Sequence, residues 1–224
     1  MAQFQIRPEY VSFDNYGTLV NWQMNPVAHE LTAGQLSEEQ FKEFTYRFSK
    51  YRYDAVCGDY LPYNTVLQNS YDRACRRFNI ESDPHAGSKL GDAVASWGAN
   101  DGVVAPLTHM GNSYKLVILS NADDYHLERS VSHLGVDFHA VLTAEQAHAY
   151  KPRYQAFEYM LETLDAAPED FLHVSSHTRY DLMPAEDLGF PNKVYLDRGF
   201  DPHARAYEYH TVRSLDEVNT MLGI

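Results

Sequence analysis

Five short apolar runs constrain the fold of this chain most: Tyr10 to Asp14, Lys115 to Ser120, Ala140 to Leu142, Phe171 to Ser175 and Lys193 to Leu196. Runs this short, with so little alternation between apolar and polar residues, read as strands buried on both faces. Between the later runs lie segments with helical spacing, Tyr125 to Leu134, Arg153 to Leu164 and Pro184 to Leu188. Strand and helix in alternation predict an α/β protein with a parallel sheet covered on both faces.

The interval from Leu19 to Pro106 breaks this rhythm. It holds helical stretches and no run that reads as a buried strand. From Leu36 to Tyr53, Phe41, Phe44, Phe48 and Tyr51 recur at spacings of three and four, and Ser37-Glu38-Glu39-Gln40 has the form of a capping box. Val66 to Phe78 reads as a second helix and Ser88 to Trp97 as a third. The simplest architecture is a Rossmann-like core, residues 1–18 and 107–224, with a helical cap inserted after the first strand, residues 19–106. The tail from Asp201 to Ile224 is expected to pack on the core, with a short helix over Ser214 to Met221. Neither an internal repeat nor a low-complexity segment is present.

Composition narrows the classes of function. Aspartate and glutamate total 31 against 18 lysines and arginines, a formal net charge of −13, which makes nucleic acid and anionic membranes poor partners. A small anionic substrate would need a locally basic pocket. Cys57 and Cys75 are the only cysteines and lack metal-ligand spacing, and the 11 histidines are scattered without it, so neither a metal site nor a disulfide framework is expected. Met1 to Pro8 lacks the basic start and apolar run of a signal peptide, and no stretch approaches about 18 apolar residues. The expectation is a soluble, cytoplasmic protein.

Chemistry is concentrated where the strands end. Val11-Ser12-Phe13-Asp14-Asn15-Tyr16-Gly17-Thr18-Leu19 delivers a carboxylate to the carboxyl end of a strand, the edge at which open α/β sheets bind ligands. Taken alone, this nonapeptide fits equally an aspartate that caps the following turn. Three further pieces favour chemistry. Leu116 to Ala122 brings Ser120 and Asn121, a hydroxyl and an amide able to hold a carboxylate or an oxyanion, to the same edge. Ala149-Tyr150-Lys151-Pro152 brings a lysine whose backbone is restricted by the proline. Val174-Ser175-Ser176-His177-Thr178-Arg179-Tyr180-Asp181 brings a second carboxylate. A lysine beside two carboxylates would hold Asp14 ionised and offset their mutual repulsion, as a nucleophile requires.

In this order the pieces resemble the haloacid dehalogenase superfamily over nearly the whole chain. The resemblance implies a Rossmann-like core, a cap after the first strand, and an aspartyl ester that forms and is then hydrolysed. It places Asp14 as nucleophile, Ser120 as the second-motif hydroxyl, Lys151 as the third-motif lysine and Asp181 as the fourth-motif acid. Phosphatases of the superfamily carry an acid two residues after the nucleophile; here that residue is Tyr16. The segment is similar instead to the (S)-2-haloacid dehalogenase branch, which is metal-independent, uses no cofactor and attacks carbon. Tyr46 to Tyr53 resembles the dehalogenase cap helix, whose arginine meets the leaving halide. That role goes to Arg47, with Arg52 close by in sequence and a solvated helix face as the alternative for both. The resemblance further implies that Thr18, Ser120 and the backbone at Asn15 hold the substrate carboxylate or oxyanion. Asn121, Ser175 and His177 join the binding residues. Tyr16, Trp22 and Tyr63 would line the leaving-group pocket, although Trp22 and Tyr63 suit ordinary cap packing equally well. A homodimer through an apolar cap face is suggested by the resemblance alone.

The match departs at the fourth motif. Simple haloacid dehalogenases place an asparagine after the two serines and one residue fewer before the acid; here His177 and an extra residue stand there. Where they carry a small glycine-alanine pair after the acid, this chain has Leu182-Met183-Pro184-Ala185. The leaving group is therefore open between halide and ring nitrogen. In the second case the same aspartate would open a small cyclic 2-carboxylate such as L-azetidine-2-carboxylate, and His177 or a cap tyrosine would supply the proton. A magnesium-dependent phosphatase and a non-catalytic binding protein are the readings from other classes.

Overall fold

A computed structural model of the chain describes residues 7–204 and 206–224. Most of the amino-terminal stretch considered above, and the first six residues of the expected core segment, lie outside the described residues. Six strands form one wholly parallel sheet: β1 (Tyr10–Phe13), β2 (Lys115–Ser120), β3 (Ala140–Thr143), β4 (Phe171–Ser175), β5 (Asn192–Leu196) and β6 (His210–Val212), in the spatial order β3-β2-β1-β4-β5-β6. The α/β, Rossmann-like expectation holds. The chain builds outward from β1 to β3 and then crosses back to β4 on the other side of β1, so strand order reverses at β1 and β4. Ligands of such sheets bind outside the carboxyl ends at that point. Strand β6 was not anticipated. Its three residues, His210-Thr211-Val212, lie at the sheet edge with only Val212 buried, and so carry no apolar run.

Ten helices surround the sheet among the described residues: α1 (Met24–Leu31), α2 (Glu38–Val56), α3 (Tyr63–Phe78), α4 (Ala86–Ser96), α5 (Val104–Gly111), α6 (Asp124–Leu134), α7 (Ala144–Ala147), α8 (Tyr154–Leu164), α9 (Met183–Asp187) and α10 (Leu215–Leu222). Helix α2 starts where the capping box places it. Ser37 Oγ accepts from Gln40 N at 3.3 Å, and Gln40 Oε1 accepts from Ser37 N at 2.9 Å. The sequence reading missed α1 and α5, both of eight residues. Helix α5 starts before the expected resumption of the core at residue 107 and is tied to α10 by Asn219 Nδ2, which donates to the Pro106 carbonyl at 3.0 Å.

Side chains alternate between the two faces of the sheet. Val11 and Phe13 of β1 face one side with Leu172 and Val174 of β4, and join the cap residues Phe44, Phe48, Leu67 and Tyr71 in one continuous apolar cluster. Burying each such side chain contributes roughly 1.5–3 kcal/mol, so α2 and α3 are fastened to the sheet by the hydrophobic effect. The opposite face is smaller. Tyr10 stacks on Phe171 there, with ring centroids 4.9 Å apart, above Phe157, Met160 and Phe190. Moving along β1 on this face, Tyr10 is followed by Ser12 and then Asp14, and in β4 Phe171 is followed by His173 and then Ser175. The layer thus turns from apolar to polar toward the carboxyl ends.

Candidate active site

Asp14 follows the last residue of β1, and its backbone N–H donates to the Val174 carbonyl at 3.2 Å, so the strand ladder itself fixes where the carboxylate sits. Thr18 Oγ1 donates to Asp14 Oδ2 at 2.8 Å and accepts from Ser176 N at 2.9 Å. Lys151 Nζ donates to Asp14 Oδ1 at 3.0 Å. The other two ammonium hydrogens go to Asp181 Oδ1 and the Leu119 carbonyl, each at 2.7 Å. An ammonium has three donors, and all three are used. Burial works against the charge on Lys151, but Asp14 and Asp181 outweigh it and raise the pKa above the ordinary lysine value.

The loop carrying Lys151 is pinned by Asn121. Its Oδ1 accepts from Lys151 N and its Nδ2 donates to the Lys151 carbonyl, both at 2.7 Å, across a cis Lys151–Pro152 bond. Asn121 was expected to bind substrate; it lines the pocket, but both its polar atoms are spent on the lysine loop. Ser120 Oγ is buried and lacks a hydrogen-bond partner, as does Ser176 Oγ. Ser175 Oγ accepts from His177 N at 3.0 Å and shapes the fourth loop. Asn15 turns its side chain away from Asp14 to donate to Ser130 Oγ at 3.0 Å, while its carbonyl accepts from the N–H groups of Thr18, Leu19 and Val20.

Asp181 is wholly buried within a π-helical turn, Thr178–Leu182, in which Leu182 N–H reaches back to the His177 carbonyl at 3.4 Å. A single π turn is one residue wider than an α turn. The turn carries the acid back to Lys151, whose Nζ lies 2.7 Å from Asp181 Oδ1. Burial alone would raise the Asp181 pKa, but Lys151 and His173 together hold it below the usual carboxylate range.

A cavity of about 230 Å³ opens between this edge and the cap. Asp14, Tyr16, Asn121, His177, Arg179, Tyr180 and Asp201 line it from the sheet side, and Trp22, Lys50, Arg52, Tyr53 and Tyr63 from the segment inserted after β1. Lys50, Arg52 and Arg179 give it the local positive charge that an anionic ligand needs. Tyr16, Trp22 and Tyr63 are all among its lining residues. Tyr16 and Trp22 are packed edge to face, and Tyr16 Oη donates to the His126 carbonyl at 3.0 Å. His177 stacks on Phe200 and lies 3.8 Å from Asp201. Burial depresses its basicity, but Asp201 and then Asp14 prevail and raise its pKa. Gly17 lies beneath it at φ +90°, where a β-carbon would come within 2.9 Å of His177 Nε2. This position needs glycine both for its backbone and for that close approach.

Arg47 is not brought to the pocket. It pairs with Glu43 one turn away at 2.7 Å, on the outer face of α2 with 40% of its side chain exposed. Of the two α2 arginines it is Arg52 that lines the pocket, with its guanidinium 4.8 Å from the Phe48 ring centre, 5.0 Å from that of Trp22, and its Nε buried without a partner among the described residues. Helical phase explains the difference. Phe44, Phe48, Arg52 and Val56 follow one another at i+4 along the inward stripe, whereas Arg47 lies on the ridge of Glu43. The same count on the sequence would have found it.

No family model matches the chain. It is 24% identical over 219 residues to (S)-2-haloacid dehalogenase 4A of Burkholderia cepacia, covering 94% of this chain and 93% of that protein. Among solved structures it is similar to L-2-haloacid dehalogenase from Xanthobacter autotrophicus with chloropropionic acid covalently bound, at 19% identity and a TM-score of 0.76, over 96% of this chain and 98% of that one. The magnesium-bound HAD-hydrolase YfnB from Bacillus subtilis is also similar, at 16% identity and a TM-score of 0.82, over 97% of this chain and 100% of that one. Over nearly its whole length the chain is thus similar in sequence and in fold to haloacid dehalogenases, at identities of 24% and below. Among the described residues, no helix is long and apolar enough to cross a membrane.

Proposed function

We propose that the chain hydrolyses a small 2-substituted carboxylate in the manner of an (S)-2-haloacid dehalogenase, through an ester on Asp14. The observation that carries this reading is the Asp14–Lys151–Asp181 cluster, whose Asp14 opens onto a pocket that Lys50, Arg52 and Arg179 also line. An Asp14 oxygen attacks the carbon bearing the substrate carboxylate; the new C–O bond forms as the carbon–halogen bond breaks, and halide leaves with the electron pair. Water then adds to the Asp14 carbonyl carbon as one of its protons passes to Asp181; the ester C–O bond breaks, the departing oxygen takes up the remaining proton of that water, and a 2-hydroxy acid and the Asp14 carboxylate result, Asp181 returning its proton to solvent. Lys151 holds Asp14 ionised, and Thr18 and Ser120 bind the substrate carboxylate or the oxyanion. Arg52 receives the leaving group, in the role first assigned to Arg47. Tyr16, with its ring packed against Trp22, stands where a magnesium phosphatase of the resemblance would present a carboxylate.

Ring opening is the second reading, favoured by the number of proton donors around the pocket. The leaving nitrogen of a cyclic amino acid must be protonated as the C–N bond breaks. His177 and the phenols Tyr53, Tyr63 and Tyr180 all line the cavity. Burial pushes the Tyr63 phenol up to about 12, although Arg52 opposes the shift, so this group keeps its proton at neutral pH.

The test is intact mass and product analysis after incubation with (S)-2-chloropropionate and, separately, L-azetidine-2-carboxylate. Chloride release with an ester on the wild type supports the first reading. Turnover of the cyclic amino acid alone selects the second, and inactivity toward both sinks the substrate class. On whichever substrate is turned over, Arg52→Gln is expected to lower kcat/KM by about 10–100-fold, the loss of one charge-assisted contact. Arg47→Gln is expected to stay within about twofold. Equal losses in the two variants would remove Arg52 from its assigned role.

A further inference from the structure

Strand β4 carries a histidine at its centre, where its neighbours Phe171, Leu172 and Val174 are apolar and wholly buried. His173 is itself wholly buried, its ring edge-on to Phe157 at 5.4 Å and to Phe190 at 6.3 Å. An imidazole is costly in such a layer unless both nitrogens are satisfied, and here both are. Nε2 lies 3.0 Å from Asp181 Oδ1, and Nδ1 lies 2.9 Å from Oγ of Ser12, the residue paired with it in register on β1. An ionised carboxylate only accepts, so Nε2 carries the hydrogen. Ser12 fixes the ring through the other nitrogen.

The consequence falls on Asp181. Lys151 and His173 both donate to Oδ1, while Oδ2 is buried with no hydrogen-bond partner. Two donors converging on one oxygen restrict the carboxylate and leave Oδ2 as its open acceptor among the described residues. We propose that His173, held by Ser12, is a positioning residue that aims Asp181 Oδ2 for the hydrolytic half of the reaction. This inference rests on the ester mechanism above and adds to it a division of labour. Lys151 touches both carboxylates and serves both halves, whereas His173 touches only Asp181 and serves the breakdown of the ester.

The test separates the two steps by rapid quench, following first-turnover halide release or ring opening and the ester mass on Asp14. His173→Phe should form the ester at a rate within about threefold of wild type, lose at least tenfold in kcat, and accumulate the ester in the steady state. His173→Gln, whose amide can donate to Oδ1, should recover most of that loss. Ser12→Ala, which leaves the ring in place but frees its orientation, should lie between them and guards against misfolding of the larger change. Equal slowing of both steps in His173→Phe, or no recovery in His173→Gln, overturns the assignment while leaving the ester mechanism intact. A wild type that forms no ester on any substrate overturns the mechanism and the inference together.

Discussion

Asp14→Asn is expected to lower kcat by at least about 10⁴-fold, the scale on which removal of a nucleophile acts. The amide is nearly the shape of the carboxylate, so the fold should survive, but its oxygen is a poor nucleophile and its nitrogen brings a donor toward Thr18 or Lys151. Lys151 keeps Asp181 and the Leu119 carbonyl as partners. Loss of the ester mass and of product, together with a melting temperature close to that of wild type, is the expected pair of results. An ester that persists, or maps to another residue, would remove Asp14 from the chemistry.

Lys151→Met should have the largest effect on stability. It leaves Asp14 and Asp181 facing each other, buried, without the charge between them. Removing one partner of a buried ion pair costs roughly 3–5 kcal/mol. At about 2–4 °C per kcal/mol for a domain of this size, Tm should fall by about 6–20 °C at pH 7. The pH dependence identifies the cause. The lowered pKa of Asp181 contributes stability that is present above the unfolded carboxylate value of about 3.9 and is lost as pH falls toward the folded one. The raised pKa of Lys151 contributes stability that is present below the unfolded lysine value of about 10.4 and is lost as pH rises through the folded one. Without Lys151 the buried carboxylates protonate more readily, so the gap between variant and wild type should narrow in melts taken below about pH 4. A loss that is the same at every pH would assign the effect to packing instead.

The sequence by itself determined the layered core and the four strand-end residues. Short doubly buried strands and amphipathic helices declare themselves locally, and a residue placed immediately after a strand is carried to the sheet edge whatever the rest of the chain does. Asp14 and Ser120, at the ends of β1 and β2, were legible for that reason, whereas Lys151 and Asp181 stand several residues beyond β3 and β4 and were legible through the spacing of the motifs they resemble. Tertiary structure decided the rest. Arg47 and Arg52 have the same chemistry, and only their phase against the buried stripe of α2 separates them. Asn121 had the right chemistry for substrate, but the loop of Lys151 takes up both of its polar atoms. Nothing in the sequence singles out His173, because its partners lie across the register on β1 and in a π turn eight residues on. A side chain's direction and its partners depend on contacts between distant segments, and no local pattern encodes them.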